Sequence, residues 1–123
     1  MIYVDTSVVL AQALSEDRRP PAAMWHGSLI TSRLTQYETW TRVNDGGFAV
    51  THGEAIRELL GRISFLEMSP VVLARALEPF PVRVRTLDAL HLASAWYLHE
   101  QRVDVEIATF DDRMASAAKR LRL

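Results

Sequence analysis

The chain reads as an α/β protein built around a mainly parallel sheet, and three observations predict it. Short apolar runs alternate with helical patterns along the sequence. Glycine and proline signals at Gly27, Gly46-Gly47 and Pro79-Phe80-Pro81 separate the segments. Two of the apolar runs lead directly into aspartates, Asp5 and Asp111, and ligands in open α/β sheets bind at the carboxyl ends of strands. With 123 residues, 49% of them apolar, the chain has the size of a single domain spanning 1–123. Such a chain is expected to bury roughly two thirds of the surface its unfolded form exposes.

Ile2 to Val4 is a first buried strand, and Asp5-Thr6-Ser7 supplies N-cap chemistry for a helix carrying Val8, Val9, Leu10, Ala13 and Leu14. Pro20-Pro21 starts a short helix through Ala22 to Trp25 that Gly27 ends; this segment carries no motif. Ser28 to Thr31 is the second strand. A helix from Arg33 to Val43 places Leu34, Tyr37, Trp40 and Thr41 on one face, with Glu38 beside it. The next helix, Thr51 to Ile63, has a Thr51-x-x-Glu54 capping box and an apolar stripe of Ile56, Leu59, Leu60 and Ile63. Phe65 to Met68 is a third strand, and Ser69-Pro70 caps a helix from Val71 to Leu77. The helix from Thr86 to Glu100 is apolar on most sides, which predicts burial between the sheet and other elements. Val105 to Thr109 is a fourth strand, and a last helix runs from Asp111 to Arg120.

Composition narrows the function. The absence of cysteine excludes disulfides, thiolate metal sites and cysteine nucleophiles, and fits a reducing compartment. No apolar run approaches the roughly 20 residues of a membrane span, and the N-terminus lacks a signal-peptide pattern, so a cytoplasmic protein without membrane contact is expected. A net charge of −1 argues against broad electrostatic attraction to nucleic acid. The basic residues are arginines except for Lys119, which suits planar phosphate contacts, although codon usage in a GC-rich genome gives the same bias.

The acids carry the chemistry. Asp5, Glu38, Asp88 and Asp111 each lie in or beside an apolar stretch, where an unpaired carboxylate is costly. Carboxylates about 4 Å apart repel by about 4 kcal/mol at an effective dielectric near 20, so a converging set calls for a cation. All-oxygen donors favour Mg²⁺, with Mn²⁺ as the alternative, over zinc. Such a site is suited to metal-assisted phosphodiester hydrolysis. Thr6, Ser7 and Thr109 stand next to the acids and can orient carboxylates or coordinated water. The plain alternatives are N-capping for Asp5 and Asp111, a solvated helix position for Glu38, a favourable first-turn charge for Asp88, and a packed, hydrogen-bonded imidazole for His91. Trp25, Trp40 and Trp96 fall at core spacings and read as packing.

Four segments together, Tyr3-Val4-Asp5-Thr6-Ser7, Thr31-Ser32-x-Leu34 leading to Glu38, Arg85-Thr86-Leu87-Asp88-Ala89-Leu90-His91-Leu92-Ala93, and Ala108-Thr109-Phe110-Asp111-x-Arg113-Met114, resemble the PIN-domain family, specifically the VapC-type toxins of bacterial toxin–antitoxin pairs. The resemblance spans nearly the full length. It implies a three-layer α/β/α fold and a Mg²⁺-dependent endoribonuclease inhibited by a cognate antitoxin. It also implies a homodimer or a toxin–antitoxin hetero-oligomer. It assigns Asp5, Glu38, Asp88 and Asp111 as the acidic quartet, with Asp5 and Asp88 foremost as metal ligands. Ser7 corresponds to the position organising the first aspartate, and Asp112 is an auxiliary acid. Many relatives add a further short strand after the position of Leu123, so a shorter sheet edge is expected.

Other classes fit less well. A haloacid-dehalogenase-like phosphatase needs a second aspartate where Ser7 stands, and a receiver-like domain needs a lysine after a late strand, whereas Lys119 lies in the terminal helix pattern. A non-catalytic PIN-fold module binding RNA or protein is the alternative from another class; retention of all four acids weighs against it.

Overall fold

The computed structural model describes residues 1–123. Strands β1 (Ile2–Val4), β2 (Leu29–Ser32), β3 (Ser64–Leu66) and β4 (Glu106–Ala108) form one sheet in the order β3-β2-β1-β4. Every pairing is parallel, with Tyr3 opposite Ile30 on one side and Ile107 on the other. Helices α1 (Thr6–Ala13), α2 (Arg33–Asp45), α3 (Ala49–Leu60), α4 (Pro70–Ala76), α5 (Thr86–Glu100) and α6 (Asp112–Arg120) complete the chain, with a 3-10 turn at Ala22–His26.

The two-residue period of the strands divides the core. Val4 and Leu29 face α1, α2 and α3, packing with Val8, Val9, Trp25, Val43, Ile56 and Leu60. Tyr3 and Ile30 face the other way, onto Ala95 and Leu98 of α5, and Leu92 meets Met114, Ala117 and Ala118 of α6. Helices thus cover both faces of the sheet, the three-layer α/β/α arrangement expected from the sequence. As anticipated, α5 is largely buried, and Ser69 caps α4, its hydroxyl accepting from the Val72 N–H at 3.4 Å.

Three details differ from the sequence reading. The buried face of α2 is Leu34, Thr35, Thr39 and Val43, while Tyr37 is 71% exposed and Thr41 also faces solvent. Thr35 goes inside because its hydroxyl and that of Thr31 bond each other at 2.6 Å, which removes the cost of burying them, whereas the buried Thr39 hydroxyl finds no partner and its methyl supplies the packing. Helix α3 starts at Ala49, not Thr51, and the Thr51–Glu54 box does not form: Phe48 is the N-cap and the Thr51 hydroxyl donates to the Phe48 carbonyl. The cause lies in the preceding turn. Gly47, at φ +73°, closes α2 by a Schellman motif, with Phe48 N–H bonding the Val43 carbonyl and Gly47 N–H that of Asn44. The chain reverses in two residues and the next helix begins at once. Ile63 falls beyond the end of α3 yet still reaches the core.

The same closure ends α1, α5 and α6, but with Ser15, Arg102 and Arg122 in the left-handed region at φ 52°, 63° and 62°. At α5, Val103 N–H bonds Leu98 and Arg102 N–H bonds His99. A Cβ is unfavourable there by about 1 kcal/mol. Arg102→Gly is therefore expected to raise stability by about 0.5–1 kcal/mol, read as a higher urea midpoint at unchanged slope; a lower midpoint contradicts it.

Candidate active site at the carboxyl ends of the strands

Chain progression across the sheet runs from β1 through β2 to β3 and then returns to β4 beside β1. This reversal places a topological switch point between β1 and β4, where α/β sheets open a crevice. Asp5 follows β1 and Asp111 follows the β4 exit, and the Asp5 N–H bonds the Ala108 carbonyl at 3.2 Å. Glu38 enters from α2 and Asp88 from the first turn of α5. All four acids, with Thr6, Ser7, Arg85 and His91, line one cavity of about 200 Å³. A larger groove of about 610 Å³ lies between α4 and α5, lined by Val71 and Trp96 among others, with none of the four acids.

Asp5 is 3% exposed and both its oxygens are engaged. Oδ1 accepts from the Ser7 hydroxyl at 2.6 Å and from Val8 N–H at 3.3 Å, and Oδ2 from the Thr109 hydroxyl at 2.6 Å. Those two hydroxyls in turn accept from the Phe110 and Asp111 backbone N–H groups at 3.0 Å. Ser7 and Thr109 therefore tie Asp5 to the loop that carries Asp111. Burial pushes the Asp5 carboxyl above its usual range, against the opposing bonds from Ser7 and Thr109. Asp111 caps α6 through Met114 N–H at 2.9 Å. Capping and cavity lining, alternatives in the sequence, are combined in both aspartates.

Glu38 belongs to a buried relay that begins at β2. Ser32 N–H donates to the Tyr3 hydroxyl at 3.2 Å, Tyr3 contacts His91 Nδ1 at 2.7 Å, and His91 Nε2 contacts Glu38 Oε1 at 2.7 Å. The tautomer that satisfies every atom has Tyr3 donating to Nδ1 and Nε2–H donating to Glu38. Thr6 donates to the same Glu38 oxygen at 2.8 Å. Burial acts to raise Glu38, but the bond and field of His91, with Thr6, outweigh it and hold the carboxyl below its usual range. Burial raises Tyr3 far above its ordinary value, so its hydroxyl keeps its proton. His91 is a packed, fully partnered imidazole.

Asp88 is raised by burial and by the charge of Asp111, with Arg85 opposing. Arg85 stands between the two, its Nη2 donating to Asp111 Oδ2 at 2.9 Å and its Nε to Asp88 Oδ2 at 3.4 Å. The sequence reading missed Arg85 as a member of the site. Its position three residues before Asp88, one turn of helix, was the available signal. Asp112 is exposed at the start of α6 and does not line the cavity.

The acids surround one cavity, yet no three carboxylate or imidazole groups are gathered into a ready-made ligand set, which corrects the expectation of tightly converging carboxylates. Hydrogen bonds and Arg85 relieve their repulsion instead. The donor set is nonetheless made of hard oxygens, and Asp88 Oδ1 and Glu38 Oε2 accept no hydrogen bond from the protein. That suits a hard cation that keeps several waters and takes only one or two carboxylates.

Residues 2–120 match the PIN domain family. Ribonuclease VapC46 of Mycobacterium tuberculosis is 32% identical over 126 residues, covering 98% of this chain and 92% of the relative. In the fold, the crystal structure of Mycobacterium tuberculosis VapC20, described as a sarcin–ricin loop cleaving toxin, aligns with a TM-score of 0.68 over 95% of each chain at 18% identity. Extent of match, sheet order and the acids at the switch point agree, and the chain belongs to the PIN-domain family, in its VapC-type branch.

Proposed function

We propose that this chain is a Mg²⁺-dependent endoribonuclease, the toxin half of a toxin–antitoxin pair, working as a single cytoplasmic domain. The observation that carries the reading is the gathering of Asp5, Glu38, Asp88 and Asp111, from four separate segments, around one cavity at the β1–β4 switch point. The similarity to a relative named as a ribonuclease supports it. Asp5 and Asp88 are the foremost candidates to hold the metal, with Asp111 and Glu38 completing the acidic wall; Mn²⁺ suits the same oxygens. The bound cation would supply an activated water and charge stabilisation at the attacked phosphate. Thr6, Ser7 and Thr109 act through the acids: Ser7 and Thr109 aim both oxygens of Asp5, and Thr6 fixes Glu38. The Tyr3–His91 relay keeps Glu38 ionised and oriented.

The substrate class is RNA in single strands or loops, where an accessible backbone permits in-line attack. The partners are a cognate antitoxin protein and a second copy of the chain or a mixed assembly. The test is end-mapped cleavage of total cellular RNA by purified protein. Discrete cuts are expected with Mg²⁺, with complete loss in EDTA and recovery when Mg²⁺ is restored. Cuts that persist in EDTA would overturn metal dependence, and no cuts under any condition would favour a non-catalytic binding module.

A further inference from the structure

Arg85 has no part in the reading above, and its setting differs from that of four other arginines. Arg18, Arg33, Arg57 and Arg75 each lie over an aromatic ring, Phe110, Phe65, Trp40 and Phe80 respectively. Arg85 has no such platform. It occupies the N-cap position of α5 without capping it through its side chain, and its side chain is 71% exposed. What holds the guanidinium over the cavity is the pair of carboxylates, Asp111 at 2.9 Å and Asp88 at 3.4 Å. Its Nη1 makes no hydrogen bond within the protein.

We propose that Arg85 is a displaceable counter-ion that becomes a ligand of the substrate phosphate: without a divalent cation it bridges Asp88 and Asp111, and once a cation takes those carboxylates its guanidinium turns to the bound strand. The inference rests on the metal-dependent nuclease reading and names the residue through which the site engages the strand. The guanidinium end of both pairs is open to solvent, which screens them, so the exchange is easy. Displacement leaves the fork at the cavity mouth with all its donors free, and a guanidinium meets a phosphate in two parallel hydrogen bonds that an ammonium cannot reproduce. Arg85 and the cation are therefore competitors for the acids in the free protein and neighbours on the substrate in the complex.

This duality gives opposed signs to one substitution. In Arg85→Gln, Mn²⁺ titrated calorimetrically into the RNA-free protein is expected to bind about fivefold more tightly, the effect of removing one exposed positive charge a few ångströms away. The KM for a single-stranded RNA substrate is expected to rise about tenfold in the same protein, since a charged phosphate contact is lost. Arg85→Lys should return Mn²⁺ affinity to the parental value while leaving KM raised. A merely structural Arg85 would move both readouts in the direction of weaker binding. Unchanged or weaker Mn²⁺ binding by Arg85→Gln, or an unchanged KM, overturns the proposal. If the parental protein binds Mn²⁺ but cuts no RNA, the nuclease reading fails and takes the phosphate role with it. Parental cleavage with identical Mn²⁺ affinities in the two proteins sinks only the role of Arg85.

Discussion

Asp88→Asn is expected to cut RNA at least about a hundredfold more slowly than the parent in Mg²⁺, and in EDTA at pH 7 to melt about 4 °C higher. Loss of an outer partner of a metal site already costs about 10–100-fold, so loss of a candidate ligand should exceed that. The stability gain has a separate origin. Burial and the Asp111 charge raise the Asp88 carboxyl above its ordinary value despite Arg85. A carboxyl with a folded pKa above its unfolded one holds its proton more tightly in the native state, so ionisation costs stability. The cost is absent below the unfolded value near 3.9 and complete above the raised folded value. Asparagine removes it; solvent at the cavity mouth screens part of the repulsion, and a remaining relief of about 1 kcal/mol is about 4 °C in a chain of this size. The advantage should therefore fade as pH falls and be gone near pH 3. Thermal melts across pH in EDTA, beside cleavage rates in Mg²⁺, decide both parts. A variant that cuts at the parental rate would remove Asp88 from the site.

His91→Leu is expected to lower the melting temperature by about 10 °C, corresponding to about 2–3 kcal/mol. The substitution keeps most of the volume but deletes both nitrogens of the relay. The Tyr3 hydroxyl, fully buried, loses its acceptor, at about 1–3 kcal/mol for an unsatisfied group. Glu38 loses the partner that holds its carboxyl down; since its side chain is 20% exposed, solvent screens part of that loss. A carboxyl with a depressed folded pKa contributes stability above its unfolded value, near 4.3, and loses it as pH falls. The deficit of His91→Leu should accordingly narrow below about pH 4, where protonated Glu38 no longer depends on the imidazole. Unfolding by urea at pH 7 and pH 3.5 is the check: equal deficits at both values would show that packing, not the Glu38 pair, is what His91 supplies.

Asp5 and Asp111 were legible as a pair because each follows an apolar run and precedes a helix, so a parallel sheet in which β1 and β4 are neighbours brings them together without further information. Asp88 stood out because its helix is otherwise apolar. The Tyr3–His91–Glu38 relay was not legible: its members lie 88 and 53 residues apart, and a tyrosine in a strand and a histidine in a helix each look like packing until the fold joins them. The threonine face of α2 was misread because burial of Thr35 depends on Thr31, which only the β2–α2 geometry supplies. Asp112, one residue from the selected acid, shows how fine the margin is: the N-cap geometry of α6 turns Asp111 toward the cavity and leaves its neighbour in solvent.

The sequence by itself determined the layered α/β architecture, the position of every strand and long helix to within a few residues, and four acids that the fold gathers around one cavity. Period, turn residues and apolar context are local properties, written within a few residues of one another. Only the tertiary structure decided how those acids coexist. Their charges are tempered not by mutual convergence on one point but by hydroxyls, an imidazole and Arg85 brought in from other segments. Compensation of a buried charge depends on distances of a few ångströms between residues remote in the chain, and no local pattern records them.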